Sequence, residues 1–341
     1  MLNESNLHDY QTTAIAHIHK HTHAALFLEM GLGKTISTLT SINQLIYEEL
    51  DIATTLIVAP KRVAESVWDA EIDKWSHIKH LRIVKIAGTT KQRLAALRQK
   101  ADIYTIGRDN IAWLCGLYGG SMLPFDMLVI DELSSFKNPA SIRFKALKQV
   151  QPSFKRVIGL TGTPAPNGLI DLWSQLYLLD RGERLEKFIT KYREKYFYSQ
   201  KSNGHIVFKY GITPENEAII HKKIGDICLS MKAEDYLKLP GRIDNNIVIR
   251  FDDKLQAIYE DFERNQVLEM FGDHQVTVDT GHEEYSYGFE GKQISAVNAA
   301  ALQNKLLQFA NGAVYDADKN YHVVHDLKID EAVVIHTTIS K

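Results

Sequence analysis

Cysteine is scarce in this chain: there are two among 341 residues, Cys115 and Cys228, far apart and without metal-ligand spacing. That argues against a disulfide framework or a zinc module and for a reducing, cytoplasmic setting. Long apolar runs are missing as well, since none approaches the ~18 residues that a membrane span requires. The start, Met1-Leu2-Asn3-Glu4, is polar and acidic, unlike a secretory leader, so no membrane partner is expected. Charge of one sign is also lacking, with 40 Lys/Arg against 42 Asp/Glu and a net −2. The chain is no generic polycation, and any grip on nucleic acid must come from local patches. Internal repeats and low-complexity tracts are absent too. Histidine, by contrast, is plentiful, and His17, His19, His21 and His23 alternate. Alternate positions do not share a helix face, and no carboxylate or cysteine is interleaved. They read as a polar helix end.

What is present is a core and an ordered succession of elements. Hydrophobic residues make up 45% of the sequence, enough for one large domain or two ordinary ones. Strands are expected at about 24 to 28, 54 to 59, 81 to 86, 102 to 106, 126 to 130 and 155 to 161, separated by helical patterns. Ile36, Leu39, Ile42, Ile46 and Leu50 share one face of the first crossover helix. Val63, Val67, Trp68, Ile72 and Trp75 share one face of the second. Such alternation predicts an α/β fold with a doubly wound, mostly parallel sheet. After Trp173 the texture changes. Residues 180 to 240 read as helical and charged, 246 to 251 as a strand, 254 to 270 as a helix and 272 to 291 as a polar loop. Ser295 reads as the cap of a helix that runs to Ala310 and is ended by Gly312.

The most informative run is Glu29-Met30-Gly31-Leu32-Gly33-Lys34-Thr35, which follows the apolar Ala24 to Leu28 and opens an amphipathic stretch. Glycines at 31 and 33 let backbone N–H groups turn toward a phosphate, and the following helix adds the positive end of its dipole. Lys34 supplies a point charge for the β- and γ-phosphates, and the Thr35 hydroxyl suits Mg²⁺. The strict phosphate-loop pattern wants glycine where this chain has Leu28.

Two further strand ends fit the same chemistry. Asp126 to Ile130 leads into Asp131-Glu132, a carboxylate pair where ligands bind in open α/β sheets. Asp131 suits Mg²⁺, and Glu132 suits the water that attacks a γ-phosphate. Arg156 to Thr161 runs into Gly162-Thr163-Pro164. The Thr161 and Thr163 hydroxyls are placed to bond the Asp131-Glu132 carboxylates and so report the state of the nucleotide.

In this order the runs resemble the first motor lobe of superfamily 2 helicases, specifically the Swi/Snf-type ATPases that track along double-stranded DNA. Leu7-His8-Asp9-Tyr10-Gln11 resembles the adenine-reading element, which implies base contacts from Tyr10 and Gln11. Met30 to Thr35 has the family form of the phosphate loop, which also lacks glycine at position 28. Leu56 to Pro60 resembles the first DNA-contacting strand end. Asp131-Glu132 with Lys137-Asn138 resembles the Mg²⁺ and water motif, and Leu160 to Pro164 with Asn167, Leu172 and Trp173 resembles the sensor motif. One departure is Leu133-Ser134 where many relatives have Ala-His. The resemblance covers residues 1 to about 180 firmly and 181 to about 330 more loosely, with wording like that of small phage-encoded members. It implies a RecA-like lobe at 1–179, a mainly helical insertion and extension at 180–325, and at 326–341 the lead-in to a second lobe. ATP, Mg²⁺ and double-stranded DNA are the implied ligands, in a host cytoplasm if the chain is phage-encoded.

Lys61-Arg62 follow Pro60, and Arg108 follows the strand ending at Ile106. These positions resemble those where the family touches DNA phosphates. Residues 181 to 201 carry seven Lys/Arg against three Glu, interleaved with Tyr192, Tyr196, Phe197 and Tyr198. That composition suits nucleic-acid backbone contacts or stacking, and a helical hairpin with an aromatic inner face would look the same. Residues 252 to 290 hold eleven Asp/Glu and two Lys/Arg, a face DNA should avoid. Motors of this type close ATP between two lobes, the second supplying an arginine finger. His325 to Asp330 resembles the lead-in to that lobe, so residues 1–341 are expected to bind ATP but turn it over slowly. The second lobe would lie on another chain or outside this sequence. A non-hydrolysing ATP/DNA-binding module that regulates or loads another protein shares every one of these motifs. An RNA helicase is a third reading, which the Met-Gly-Leu-Gly-Lys-Thr loop and Lys137-Asn138 disfavour.

Overall fold

The computed structural model describes the whole chain except residues 120–121, 204–205, 238–245, 266, 271–291, 296–298 and 340–341. No helix among the described residues is long and apolar enough to cross a membrane. The chain forms two compact units, Met1–Pro240 and Gly241–Lys341.

The first unit is organised by seven strands: β1 (His23–Leu28), β2 (Thr55–Ala59), β3 (Ile83–Ile86), β4 (Ile103–Gly107), β5 (Met127–Asp131), β6 (Arg156–Thr161) and, after a β7–β8 hairpin (Phe197–Asn203, Ile206–Ile212), β9 (Cys228–Met231). The order across the sheet is β3-β4-β2-β5-β6-β1-β9, and every pairing is parallel. A parallel sheet covered on both faces needs strands that are apolar throughout. β1 illustrates this: Ala25 and Phe27 join the core on one face, and Ala24, Leu26 and Leu28 the core on the other.

Helices fill both faces. After α1 (Asp9–Lys20), α2 (Lys34–Tyr47) buries Ile36, Leu39, Ile42 and Ile46. It ends before Leu50, which takes a positive φ of 54° and lies 79% exposed. In α3 (Lys61–Ile72), Ala64, Trp68 and Ile72 face inward, whereas Val67 points out and Trp75 is buried beyond the helix end. Each fully buried aliphatic side chain here contributes on the order of 1.5–3 kcal/mol. α4 (Thr90–Leu97), α5 (Ile111–Leu117), α6 (Ile142–Val150) and α7 (Leu172–Asp180) complete the crossovers.

The stretch from 180 to 240, read from the sequence as helical, holds α8 (Ile189–Tyr196), the hairpin, α9 (Pro214–Ile224), β9 and α10 (Ala233–Tyr236). β9 pairs only with β1, at the sheet edge, and this carries the first compact unit past residue 179 to Pro240.

The second unit contains α11 (Asp253–Asn265), a β10–β11 hairpin (Val267–Met270, Lys292–Ser295), α12 (Ala299–Ala310), a β12–β13 hairpin (Ala313–Tyr315, Tyr321–Val323) and α13 (Leu327–Ile339). Leu255, Phe262, Leu306, Phe309 and Val314 form its core. Three expectations fail here. Residues 246–251 form no strand, and Ile247 and Val248 are 49% and 75% exposed. The helix expected to reach 270 stops at Asn265, because 267–270 pair as β10. Ser295 closes β11 instead of capping a helix. Gly312, at φ +102°, does follow the end of α12. The loop expected at 272–291 lies outside the described residues.

Candidate functional site

Because the strands are parallel, the loops after β1, β5 and β6 leave from one edge of the sheet, with β6 between the other two. The β1 loop turns on Gly31 at φ +86° and Gly33 at φ +70°, a left-handed region that glycine enters at no steric cost. A Cβ at Gly33 would stand 2.2 Å from Gln11 Nε2, so the Gln11 amide lies directly against the loop. Gln11 Oε1 also accepts from the His8 N–H at 3.0 Å. Gln11 therefore ties the start of α1 to the loop. Tyr10 beside it is 7% exposed, Leu32 is fully buried and Met30 is 89% exposed. α2 begins at Lys34 with Thr35 in its first turn, so the unsatisfied N–H groups and positive dipole end of a helix meet whatever the loop holds.

Lys34 Nζ donates to Leu28 O at 2.6 Å and to Glu29 O at 3.2 Å. Burial pulls its pKa down, while Asp131, Glu132 and Glu29 pull it back up. Asp131 is shifted the other way: burial raises its pKa and the Glu132 charge adds to that, against the Glu132 N–H and Lys34. The half-buried carboxylate would gain from a further positive charge. With the Thr35 hydroxyl it offers hard oxygen donors, which fit Mg²⁺.

Glu132 itself sits at φ 57°, ψ 58°, a conformation costly for a residue with a side chain and often found at functional positions. Its Oε1 accepts from the Thr161 hydroxyl at 3.1 Å and also from the Ser134 hydroxyl. Thr163 enters this chain through its amide, which donates to Thr161 Oγ1 at 3.1 Å, and not through a hydroxyl bond to a carboxylate. A Cβ at Gly162 would lie 3.8 Å from Lys34 Nζ, so the sensor strand end and the loop lysine adjoin. Gly159 serves the same turn from below, since a Cβ there would stand 2.5 Å from Leu133 Cδ2.

Two supports were not foreseen. Ser134 occupies the departure noted above and binds the carboxylate that its neighbour presents. Gln175, fully buried in α7, donates to Pro164 O at 2.6 Å and Asp171 O at 2.9 Å, fixing the turn after β6. The sequence signal for it was a polar residue within a largely apolar helix. Lys137 pairs with Asp171 at 3.6 Å, and its carbonyl accepts from Ser174 at 2.6 Å, joining the carboxylate turn to α7.

Lys61 and Arg62 open α3 beyond the end of β2, both exposed, and half-buried Arg108 follows β4. A Cβ at Gly107 would lie 3.7 Å from Lys61 Cα, so the two basic positions adjoin, one and two strands beyond β5. None of the three forms an ion pair among the described residues. The 181–201 segment is not the helical hairpin of the second reading, since α8 is followed by the strand β7, but it does have an aromatic inner face: Tyr192 and Tyr196 are buried, while Arg184 binds Asp180 and Asp226 and Lys195 binds Glu186. The alternating histidines have protein partners, His17 with Ile227 O and His19 with Glu49.

The model of the SNF2-related domain matches residues 10–296. The chain belongs to the SNF2-related family. The p41 protein of Acyrthosiphon pisum secondary endosymbiont phage 1 is 33% identical to this SNF2-related chain over 94% of it and 67% of the phage protein. An uncharacterized ATP-dependent helicase of Mycoplasma genitalium, MG018, is 27% identical over 68% of the chain and 21% of its own length. Among solved structures, the Sulfolobus solfataricus SWI2/SNF2 ATPase core in complex with dsDNA superposes with a TM-score of 0.56 at 24% identity, covering 76% of this chain and 52% of that one. The fold is therefore that of the RecA-like SWI2/SNF2 ATPase core, and the likeness to phage proteins holds. The chain spans about half of that solved core and a fifth of MG018.

Proposed function

We propose that this SNF2-related chain is the ATP-binding lobe of a motor that couples ATP hydrolysis to movement on double-stranded DNA. The observation that carries the reading is the interlock at three adjacent strand ends: Lys34 in the loop, Asp131-Glu132 after β5, and Thr161 bonded to Glu132. In this reading the backbone of Gly31 to Thr35, with Met30 and Leu32 shaping the loop, cradles the phosphates. Lys34 leaves the Leu28 and Glu29 carbonyls for the β- and γ-phosphates. Thr35 and Asp131 hold Mg²⁺, which when bound neutralises developing phosphate charge. Glu132 orients a water and takes its proton as the water oxygen bonds the γ-phosphorus and the bond to the bridging oxygen breaks. Thr161, on the same carboxylate oxygen as Ser134, senses whether Glu132 is so engaged, and Thr163 fixes Thr161. Lys61, Arg62 and Arg108 contact DNA phosphates without reading bases.

An arginine finger from a partner lobe contributes about 10³ to 10⁵ in rate to comparable phosphoryl transfers. Residues 1–341 alone should therefore bind Mg·ATP and release phosphate slowly, and a second RecA-like lobe, in cis or in trans, should restore DNA-stimulated turnover. The test is phosphate release with and without double-stranded DNA, with and without that lobe. Brisk DNA-stimulated hydrolysis by monomeric residues 1–341 would sink the two-lobe account, and no hydrolysis in any combination would favour a non-hydrolysing ATP/DNA-binding module.

A further inference from the structure

α10 follows β9 and returns to the phosphate loop, where two contacts anchor it. The Ala233 N–H donates to Glu29 Oε2 at 2.8 Å, and Leu237 Cδ1 lies 3.4 Å from where a Cβ on Gly31 would stand. Between these anchors sits Tyr236, whose ring centroid is 5.1 Å from that of Tyr10 with the planes tilted 53°. Tyr10 also stacks on His8, at 5.1 Å and 9°. Tyr10, which the sequence marks for base contact, is 7% exposed, whereas Tyr236 is 47% exposed. The Tyr10 ring is enclosed, and the rings left open to a ligand are the two that cover it. Of these, only Tyr236 is tied to the loop on both flanks.

We propose that Tyr236 is the aromatic platform on which the purine base of the bound nucleotide stacks, making the segment after the last sheet strand part of the nucleotide site. Tyr10 then acts from beneath, holding the platform in place, and the loop anchors at Glu29 and Gly31 set its height above the phosphates. The inference rests on the nucleotide reading given above and adds a residue from a different part of the chain. Stacking is tolerant of base identity because every base has a π-face, so the contact should favour purines by area.

The test compares Mg·ATP with Mg·tripolyphosphate, which has the phosphates but no base, by calorimetry on residues 1–341. Replacing Tyr236→Ala should weaken Mg·ATP about tenfold, the size of one lost base stack, and leave tripolyphosphate affinity unchanged. Tyr236→Phe should keep the wild-type affinities. Equal loss for both ligands would mean a merely structural role and overturn the proposal, as would unchanged ATP affinity in Tyr236→Ala. Wild-type protein that binds both ligands equally well overturns it while leaving the phosphate-loop reading intact. Wild-type protein that binds neither ends both.

Discussion

The phosphate-loop crevice and the basic positions at the ends of β2 and β4 share one edge of one sheet, yet they are built on opposite terms. In the crevice the polar groups lean on one another: Gln11 lies against Gly33, Lys34 is poised against Asp131 and Glu132, and Thr161 and Ser134 bind one oxygen of Glu132. At the basic positions Lys61 and Arg62 are exposed and Arg108 is half-buried, and none of the three forms an ion pair among the described residues. Coupled groups fail together, and separated ones fail by increments. Substitutions in the first region should therefore abolish a property, and those in the second should only scale one.

The largest expected effect is that of Glu132→Gln with a second lobe supplied. Hydrolysis should fall by about 10² to 10⁴, the usual contribution of a positioned base, with Mg·ATP affinity kept. Single-turnover phosphate release and calorimetry separate the two, and an active Glu132→Gln variant would assign the base elsewhere. Next is Gly33→Ala, whose Cβ would collide with the Gln11 amide at a φ that costs about 1–2 kcal/mol for a side chain. Nucleotide affinity should drop tenfold or more, and a normal affinity would mean that the loop is looser than its contacts imply. Smaller again is neutralising Lys61, Arg62 or Arg108, each of which should lower the salt slope of DNA binding by about 1. The three should add nearly independently, and a triple variant that lost far more than the sum would erase the contrast between the regions.

The smallest effect concerns Asp131 in the ligand-free protein. Burial raises its folded-state pKa, so the ionised form is the costly one. The stability tied to Asp131 is full below its unfolded pKa of about 3.9 and is lost as pH rises through the folded value. Asp131→Asn, neutral throughout, should melt a few degrees higher than wild type near pH 7, with the difference closing as pH falls toward 4. A lower melting temperature at pH 7 would show that Lys34 already compensates the carboxylate in full.

What could be read from the sequence follows the same division. The strands β1 to β6 were readable because each carries an apolar run, nearly continuous where both faces are buried, as in β1, β2 and β5, and the loop and Asp131-Glu132 because each is contiguous. β9 was not, since a four-residue edge strand within a charged stretch carries no periodic signal and gains its identity from pairing with β1. The β7–β8 hairpin was missed because its first strand, Phe197–Asn203, is mostly polar and shows no alternation. Ser134 was visible only as a departure from a pattern, and its bond to Glu132 depends on the left-handed turn at Glu132. The Tyr192 and Tyr196 face could not be told from a stacking surface by composition, because burial alone separates them. In the second unit short elements around a small core left the helix and strand limits ambiguous.

The central claim is that Mg·ATP binds at the loop that Lys34 completes, and calorimetric titration of wild-type protein and Lys34→Ala, each shown to be folded by circular dichroism, tests it most directly. Saturable one-site binding by wild type and none by Lys34→Ala is the predicted result. Unchanged affinity in Lys34→Ala would contradict it.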